Sequence, residues 1–420
     1  MAGLPPVADT LRFAAQTAST AFPFARTCPF GPPPQYAAAR AAGPVYAVTL
    51  WNGKRAWLVT RHAEIRAVLS DDKRFSGAMA HPDFPAVTPA RVTVDKNERA
   101  FVGMDNPAHD VYRRMFTREF SVRRMQALKP AISAIAEQLV DAMEAHGPPA
   151  DLVPMLAVKF PSLVMSALFG SPYEDHEFII RCAAARHGLT QSPDEAETKA
   201  RELAAYVRRL IDVKEAALSN ASTAPLDDMV TRIIEEHVKP GKLSRDDFAE
   251  IGAMILRAGH DTTTNMIGMG TLLLLQHDAM RQKLAADPAL IDGAVEELLR
   301  FITPVQFSPR RVALEDVEIG EVTIPAGEGM FLLLASANRD ERLFAEPDRF
   351  DVERDASQHL AFSFGIHQCL GQMLARYELQ IVFAALLRRM PNLRLAVPPD
   401  QIRFKHDMQI YGVHNLPVAW

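Results

Sequence analysis

The stretch Ala361-Phe-Ser-Phe-Gly-Ile-His-Gln-Cys-Leu-Gly-Gln372 constrains this chain more than any other. Its fixed points are Phe362, Gly365, His367, Cys369 and Gly371, in the order F-x-x-G-x-H-x-C-x-G. Five specified residues at about one in 20 each, tried along the whole chain, match by chance with a probability of order 10⁻⁴. Gly365 and Gly371 leave the backbone around the thiol free of Cβ crowding. An apolar helical period begins just after Cys369, in Leu370, Met373, Leu374, Tyr377, Ile381, Ala384 and Ala385. This predicts a helix N-terminus at the cysteine, where free N–H groups and the positive end of the dipole favour a thiolate. Backbone donors to such a sulfur moderate the electron density it gives a metal. A lone cysteine is otherwise a buried structural thiol; the surrounding motif is what argues for a ligand.

A second constraint lies upstream. Ser244-Arg-Asp-Asp247 is a capping-box-like start. From it a helix of unusual length runs to about Gln276, apolar on much of its circumference, as suits a helix through the centre of a molecule. Inside it stands Ala258-Gly259-His260-Asp261-Thr262-Thr263. The Thr262 hydroxyl reaches the Ala258 carbonyl four residues back, a contact that bends helices. Asp261 beside it is an acid able to relay protons through water. His260 lies off that face and reads as structural.

Residues 1–35 are rich in Pro and Phe and read as an irregular lead-in. Strands follow at Val45–Leu50 and Ala56–Thr60, joined by a hairpin turn at Asn52-Gly53. Helical period returns at Ala63–Leu69, and from Gly77 to Val102 no period is visible. A helix starts near Asp105 and sets His109 and Arg113 on one face. Helical and turn segments run from Met125 to Lys239, including Glu174–Leu189 and Asp194–Ser219; Cys182, His187 and the acidic run from Asp194 to Glu197 carry no chemistry. Short strands at Val322–Ile324 and Met330–Leu334 and a β segment around Gln409–Tyr411 complete a mainly α chain with small β-sheets.

The net charge of −5 and pI of about 6.2 argue against a nucleic-acid partner. Cys28, Cys182 and Cys369 have neither disulfide-like nor zinc-like spacing, which fits a reducing cytoplasm. No stretch approaches the roughly 20 apolar residues of a membrane span, and Met1 to Thr20 lacks the features of a signal peptide.

The Cys369 loop, the A-G-x-D-T-T run at Ala258–Thr263, the H-x-x-x-R of His109 and Arg113 and the E-x-x-R of Glu297 and Arg300 together resemble the cytochrome P-450 superfamily, along the whole chain. The resemblance implies one domain over residues 1–420, because motifs from 109 to 369 must converge on one haem. It implies haem b between the long central helix and the Cys-loop helix, with Cys369 as axial thiolate. His109, Arg113, Arg311 and His367 would meet the propionates, while Ala258, Phe362, Gly365 and Gly371 shape the haem site. Asp261 and Thr262 would activate oxygen, and Glu297, Arg300 and Arg349 would form a buried network behind the loop. The two helices 174–189 and 194–219 would lid the pocket, and residues 77–102 would cover the substrate.

The implied activity is a monooxygenase inserting one oxygen atom of dioxygen into a largely apolar small organic substrate. The chain has no flavin or iron–sulfur motif, so electrons are expected from a ferredoxin and ferredoxin reductase. Arg114, Arg118 and Arg376 are candidates for a basic docking patch, or for ordinary solvated arginines. Met79, Phe84, Met254, Val305, Phe307 and Met408 are candidate apolar lining. Arg257 precedes the Ala-Gly pair, on the flank of the haem-facing stripe. A guanidinium there keeps its charge and needs either an internal acid, such as one from the 174–219 region, or a substrate carboxylate.

Several runs, among them Phe22-Pro-Phe-Ala-Arg26 and Ala337-Asn-Arg-Asp340, also look like the fungal nitric oxide reductases of the superfamily. Those enzymes lack an acid where this chain has Asp261, and they carry basic residues where this chain has Gly77-Ala-Met-Ala-His-Pro-Asp83. A haem sensor would have no use for the acid–alcohol pair.

Overall fold

The computed structural model describes residues 20–184, 188–189, 192–219 and 227–420. Backbone pairing places the strands in three sheets. The largest has six strands: β1 (Thr20–Ala21), β2 (Val45–Thr49), β3 (Arg55–Val59), β4 (Phe75–Ser76), β6 (Arg310–Ala313) and β9 (Gly329–Leu332), in the order β1-β2-β3-β9-β6-β4. β2 and β3 pair antiparallel from Val45 opposite Val59 to Thr49 opposite Arg55. Their turn closes at Asn52-Gly53, where Gly53 has φ 78° and the Asn52 side chain accepts from the Lys54 N–H. β5 (Ala150–Asp151), β10 (Arg394–Leu395) and β11 (Pro417–Ala419) form a second sheet, and β7 (Val317–Ile319) with β8 (Val322–Ile324) a small hairpin.

The remainder is mainly helical. The central helix runs from Arg245 to Gln276, and Ser244 caps it by accepting from the Asp247 N–H at 3.0 Å. It is buried along most of its length in the main hydrophobic cluster, flanked by helices Lys159–Phe169, His176–Ala184, Pro193–Leu218 and Gln372–Arg389. The two expected lid helices are therefore present, the first shorter than 174–189; His187 lies outside the described residues. Among the described residues, no helix is long and apolar enough to cross a membrane.

The 77–102 stretch departs from expectation. It contains a helix, Pro89–Lys96, capped by Thr88 and started by Pro89, and a short turn of 3-10 helix at Phe101–Gly103. Two turns of helix give little period to read, and the buried face carries Arg91 and Asp95 rather than apolar residues alone. The C-terminal β segment around Gln409–Tyr411 is also reduced, to the isolated bridge of Ile410 with Val305, flanked by those of Met408 with Gly188 and Phe404 with Val413.

Candidate active site

Two elements face each other across one large cavity of about 420 Å³. On one side stand Ala258, Gly259, Thr262 and Thr263 of the central helix; on the other stand Phe362, His367, Gln368, Cys369 and Gly371. The loop is held by its own backbone. Gly365 has φ 72°, and a Cβ there would lie 2.0 Å from the Leu69 carbonyl oxygen, so only glycine permits this approach. The Cys369 N–H donates to the Phe362 carbonyl at 2.9 Å. The helix begins at Gln372, three residues past the cysteine, with the Gly371 N–H directed at the sulfur.

Cys369 lines the cavity and is exposed there. Burial pushes its thiol up, while the Gly371 N–H, Arg113 and Arg376 pull the other way. A thiol that coordinates a metal is deprotonated outright. Phe362 is covered by the Arg376 guanidinium at 4.6 Å, and Arg376 is clamped by Glu296 at 2.7 and 2.9 Å. Burial alone would raise Glu296, but hydrogen bonds from His359 and Arg376 outweigh it and hold the carboxyl at about 2. Arg376 thus braces the loop. Arg114 pairs with Asp110 and Arg118 with Glu236, so all three patch candidates have acidic partners within the chain.

Arg113, Arg311 and His367 also line the cavity, and the His109 ring packs against His367, tilted by 57° with centroids 4.3 Å apart. Both ring nitrogens of His109 and Nε2 of His367 are buried without a hydrogen-bond partner. Burial, then Arg311, His109 and Arg113, press His367 down to about 2. Arg311 is lowered to about 10 by burial, with only Asp105 opposing. Such a gathering of donors and cations suits an anionic partner such as carboxylates.

On the central helix, the Thr262 hydroxyl donates to the Ala258 carbonyl at 3.0 Å, and the helix continues unbroken. Asp261 is buried on the flank behind, outside the cavity lining, and burial raises its carboxyl to about 6 against the pull of Lys405 and Arg257. Sequence reasoning missed Glu378. It lines the cavity, receives the Thr263 hydroxyl at 3.3 Å, and is kept well above the usual carboxylate range by burial. Its spacing of four from Leu374 puts an acid on the apolar stripe, and that was the available signal.

Behind the loop, Glu297 and Arg300 are fully buried and bidentate, at 2.6 and 2.8 Å. The Arg349 side chain does not join them; only its backbone carbonyl does, accepting from Arg300 at 3.5 Å. Phe350 takes the buried place, and Arg349 turns outward to Glu346 and Asp351, its side chain 57% exposed. Arg354 completes the network instead, 3.3 Å from Glu297.

Of the candidate apolar lining, Met79, Phe84, Met254 and Val305 face the cavity. Phe307 does not; its ring packs edge-on against Phe22 in a separate cluster. Met408 gives its backbone to Gln306, and the neighbouring Gln409 lines the cavity in its place. Phe101, Val102, Met165, Met266, Ser308 and Arg310 were not anticipated. Arg310 is held by Asp95 at 2.6 and 3.1 Å and covers the Phe84 ring at 4.6 Å.

Arg257 is absent from the lining and pairs with Glu98 at 3.0 Å. The partner is an internal acid, supplied by the segment after helix Pro89–Lys96 rather than by the 174–219 region. Carboxylic acids and their methyl esters should therefore titrate the haem spectrum in the same ratio with wild type and with Arg257→Leu. A preference for acids that disappears in the variant would put Arg257 back against the substrate.

A mainly helical chain with a cysteine loop facing an alcohol-bearing central helix is the architecture of a haem-thiolate enzyme. The family model described as Cytochrome P-450 matches residues 189–407. Pentalenic acid synthase of Streptomyces avermitilis is 43% identical over 406 residues, covering 96% of this chain and 98% of that protein. The 20-oxo-5-O-mycaminosyltylactone 23-monooxygenase of Streptomyces fradiae is 38% identical over 408 residues, covering 97% and 94%. The mycinamicin VIII methyl hydroxylase MycCI of Micromonospora griseorubida, solved with mycinamicin VIII bound, superposes with TM-score 0.88 at 33% identity, over 96% of this chain and 100% of that one.

The chain belongs to the cytochrome P-450 family. It is a haem-thiolate monooxygenase whose iron is ligated by the Cys369 thiolate.

Proposed function

We propose that this enzyme oxygenates a large, mostly apolar organic molecule, with Asp261 and Thr262 passing protons to the oxygen-binding side of the cavity. The observation that carries the reading is the placement of Thr262 opposite Cys369 across one cavity, with a buried acid directly behind the alcohol. Bound there, the haem supplies the activation of dioxygen. Residues 1–420 act as one domain around it. His109, Arg113, Arg311 and His367 hold its carboxylates; the unpartnered ring nitrogens of the histidines and the buried Arg311 guanidinium support this. Ala258, Phe362, Gly365 and Gly371 shape its two faces. Glu297, Arg300 and Arg354 keep the loop in register from behind.

On substrate, the cavity argues for size and low polarity. Met79, Phe84, Val102, Met165 and Met254 form much of its wall, with Ser308 and Gln409 as neutral polar points. The relatives named for a mycaminosyltylactone and for mycinamicin VIII agree with a bulky substrate. Electrons come from a ferredoxin and its reductase. With Arg114, Arg118 and Arg376 already paired, the docking of that partner rests on more than these three side chains. The three free cysteines agree with a reducing cytoplasm.

The test supplies the holoenzyme with a surrogate ferredoxin and reductase, NADPH, isotopically labelled dioxygen and mycinamicin VIII as the probe. Labelled product is expected only with the protein partners present. In a parallel arm, rapid consumption of NADH and nitric oxide by the enzyme alone would favour the nitric oxide reductase reading instead.

A further inference from the structure

Glu296 stands one residue before the buried Glu297 on helix Ile291–Ile302, outside the E-x-x-R spacing. Its carboxylate nevertheless closes the Cys369 loop from both flanks. On the upstream flank, His359 Nδ1 accepts from the Ala361 N–H at 3.0 Å, which leaves the ring proton on Nε2. That Nε2 donates to Glu296 Oε2 at 3.1 Å. On the downstream flank, Arg376 of helix Gln372–Arg389 donates from Nε to Oε1 at 2.7 Å and from Nη2 to Oε2 at 2.9 Å. Its Nη1 also reaches Gln372 Oε1 at 3.0 Å, at the start of that helix. Phe362 lies between the flanks, its ring centroid 4.6 Å from the Arg376 guanidinium and 5.8 Å from the His359 ring. The Phe362 carbonyl accepts the Cys369 N–H at 2.9 Å. Every link from the carboxylate to the ligand residue is thus a direct contact.

We propose that Glu296 is a positioning residue for thiolate ligation: its one carboxylate clasps His359 and Arg376 on either side of the loop, and so holds Phe362 in place and the Cys369 sulfur at the cavity. The inference rests on Cys369 as the haem ligand. Between Ala361 and Gly371 the backbone forms only one turn of 3-10 helix, at Gly365–His367, so side chains must supply much of the hold. A carboxylate suits the task because it accepts on both oxygens. A guanidinium suits it because its fork meets both oxygens while its face covers an aromatic ring. The clasp is not a solvated surface pair: 18% of the Glu296 side chain, 20% of Arg376 and 1% of His359 are exposed. It is also distinct from the network behind the loop, where Glu297 serves Arg300 and Arg354. Partners outside the ligand set fix a ligand's direction, and their loss weakens metal binding or activity by about 10–100-fold.

The experiment reduces the purified holoenzyme, adds carbon monoxide and follows the long-wavelength thiolate band with time, while circular dichroism follows the helices. In Glu296→Leu the band should decay about 10–100 times faster than in wild type, at a temperature where both proteins keep their helices. Lys214→Met, which breaks the buried pair of helix Pro193–Leu218 with Asp228 at 2.7 Å, controls for lost stability alone. Its band should last as in wild type until its helices melt. A milder pair of variants decides the matter if Glu296→Leu yields no haem protein. His359→Gln keeps a donor for Glu296, whereas His359→Asn keeps only the acceptor for Ala361, so the band should last longer in His359→Gln. A Glu296→Leu band as durable as that of wild type overturns the proposal, and so does one that fades only in step with the helices. A His359→Asn band lasting as long as that of His359→Gln, or longer, does the same. A wild-type adduct without the thiolate band would instead remove Cys369 as the ligand.

Discussion

Asp261→Asn and Thr262→Ala are expected to lose product formation by roughly 10²–10⁴-fold, the usual worth of a positioned general acid or base. Haem binding and substrate binding should survive both changes. The Thr262 hydroxyl bonds within its own helix, to the Ala258 carbonyl, and Asp261 lies outside the cavity lining. The two variants should nevertheless differ. Thr262→Ala removes the hydroxyl at the cavity, so electrons should continue to flow and leave as hydrogen peroxide. Asp261→Asn keeps the hydroxyl but removes the group that replenishes it, so the step after the first reduction should slow. Peroxide yield and single-turnover rate measure the two effects separately. Wild-type coupling and rate in both variants would mean that oxygen activation does not use this pair.

Glu297→Ala should strongly lower the yield and thermal stability of the haem-binding protein. The carboxylate neutralises Arg300 at 2.6 Å and receives Arg354 at 3.3 Å and the Asp351 N–H at 3.1 Å. Removing one partner of a buried pair costs about 3–5 kcal/mol, against a total stability of about 5–15 kcal/mol for a typical domain. Arg300→Lys should fare little better, since an ammonium cannot reproduce the fork that meets Glu297 and the carbonyls of Asn338 and Pro347. The informative contrast is between Arg354→Ala and Arg349→Ala. Arg354 reaches into the buried network and should destabilise measurably, whereas Arg349 makes exposed pairs whose loss should stay within about 0.5 kcal/mol. Thermal unfolding of the holoenzyme variants decides it. A larger loss for Arg349→Ala would reinstate the assignment made from the motif.

Where a function is encoded in a few residues at fixed spacing, the chain is readable before it folds. The Cys369 loop, the Thr262 bond to Ala258 and the Glu297–Arg300 pair are short-range patterns, and the structure has the local geometry that their spacing implies. What could not be read is what depends on distant segments meeting. Arg257 and Glu98 are 159 positions apart, and Lys405 and Asn265 are 140 apart. No local pattern marks either pair. Arg349 and Arg354 sit five residues apart in an irregular segment, where the burial of Phe350 decides which one turns inward. Phe307 was misplaced for a similar reason, since a strand-like segment offers two faces and Phe22 claims one of them. The helix Pro89–Lys96 was hidden because charged residues occupy its buried side.

The central claim is that Cys369 supplies a thiolate to haem iron. Reducing the purified holoenzyme and adding carbon monoxide tests it directly. Wild type should show the long-wavelength absorption band that gives the cytochrome P-450 family its name, and Cys369→His should move the band to the position of histidine-ligated haem proteins. A fresh wild-type adduct that already absorbs where histidine-ligated proteins do would contradict the assignment.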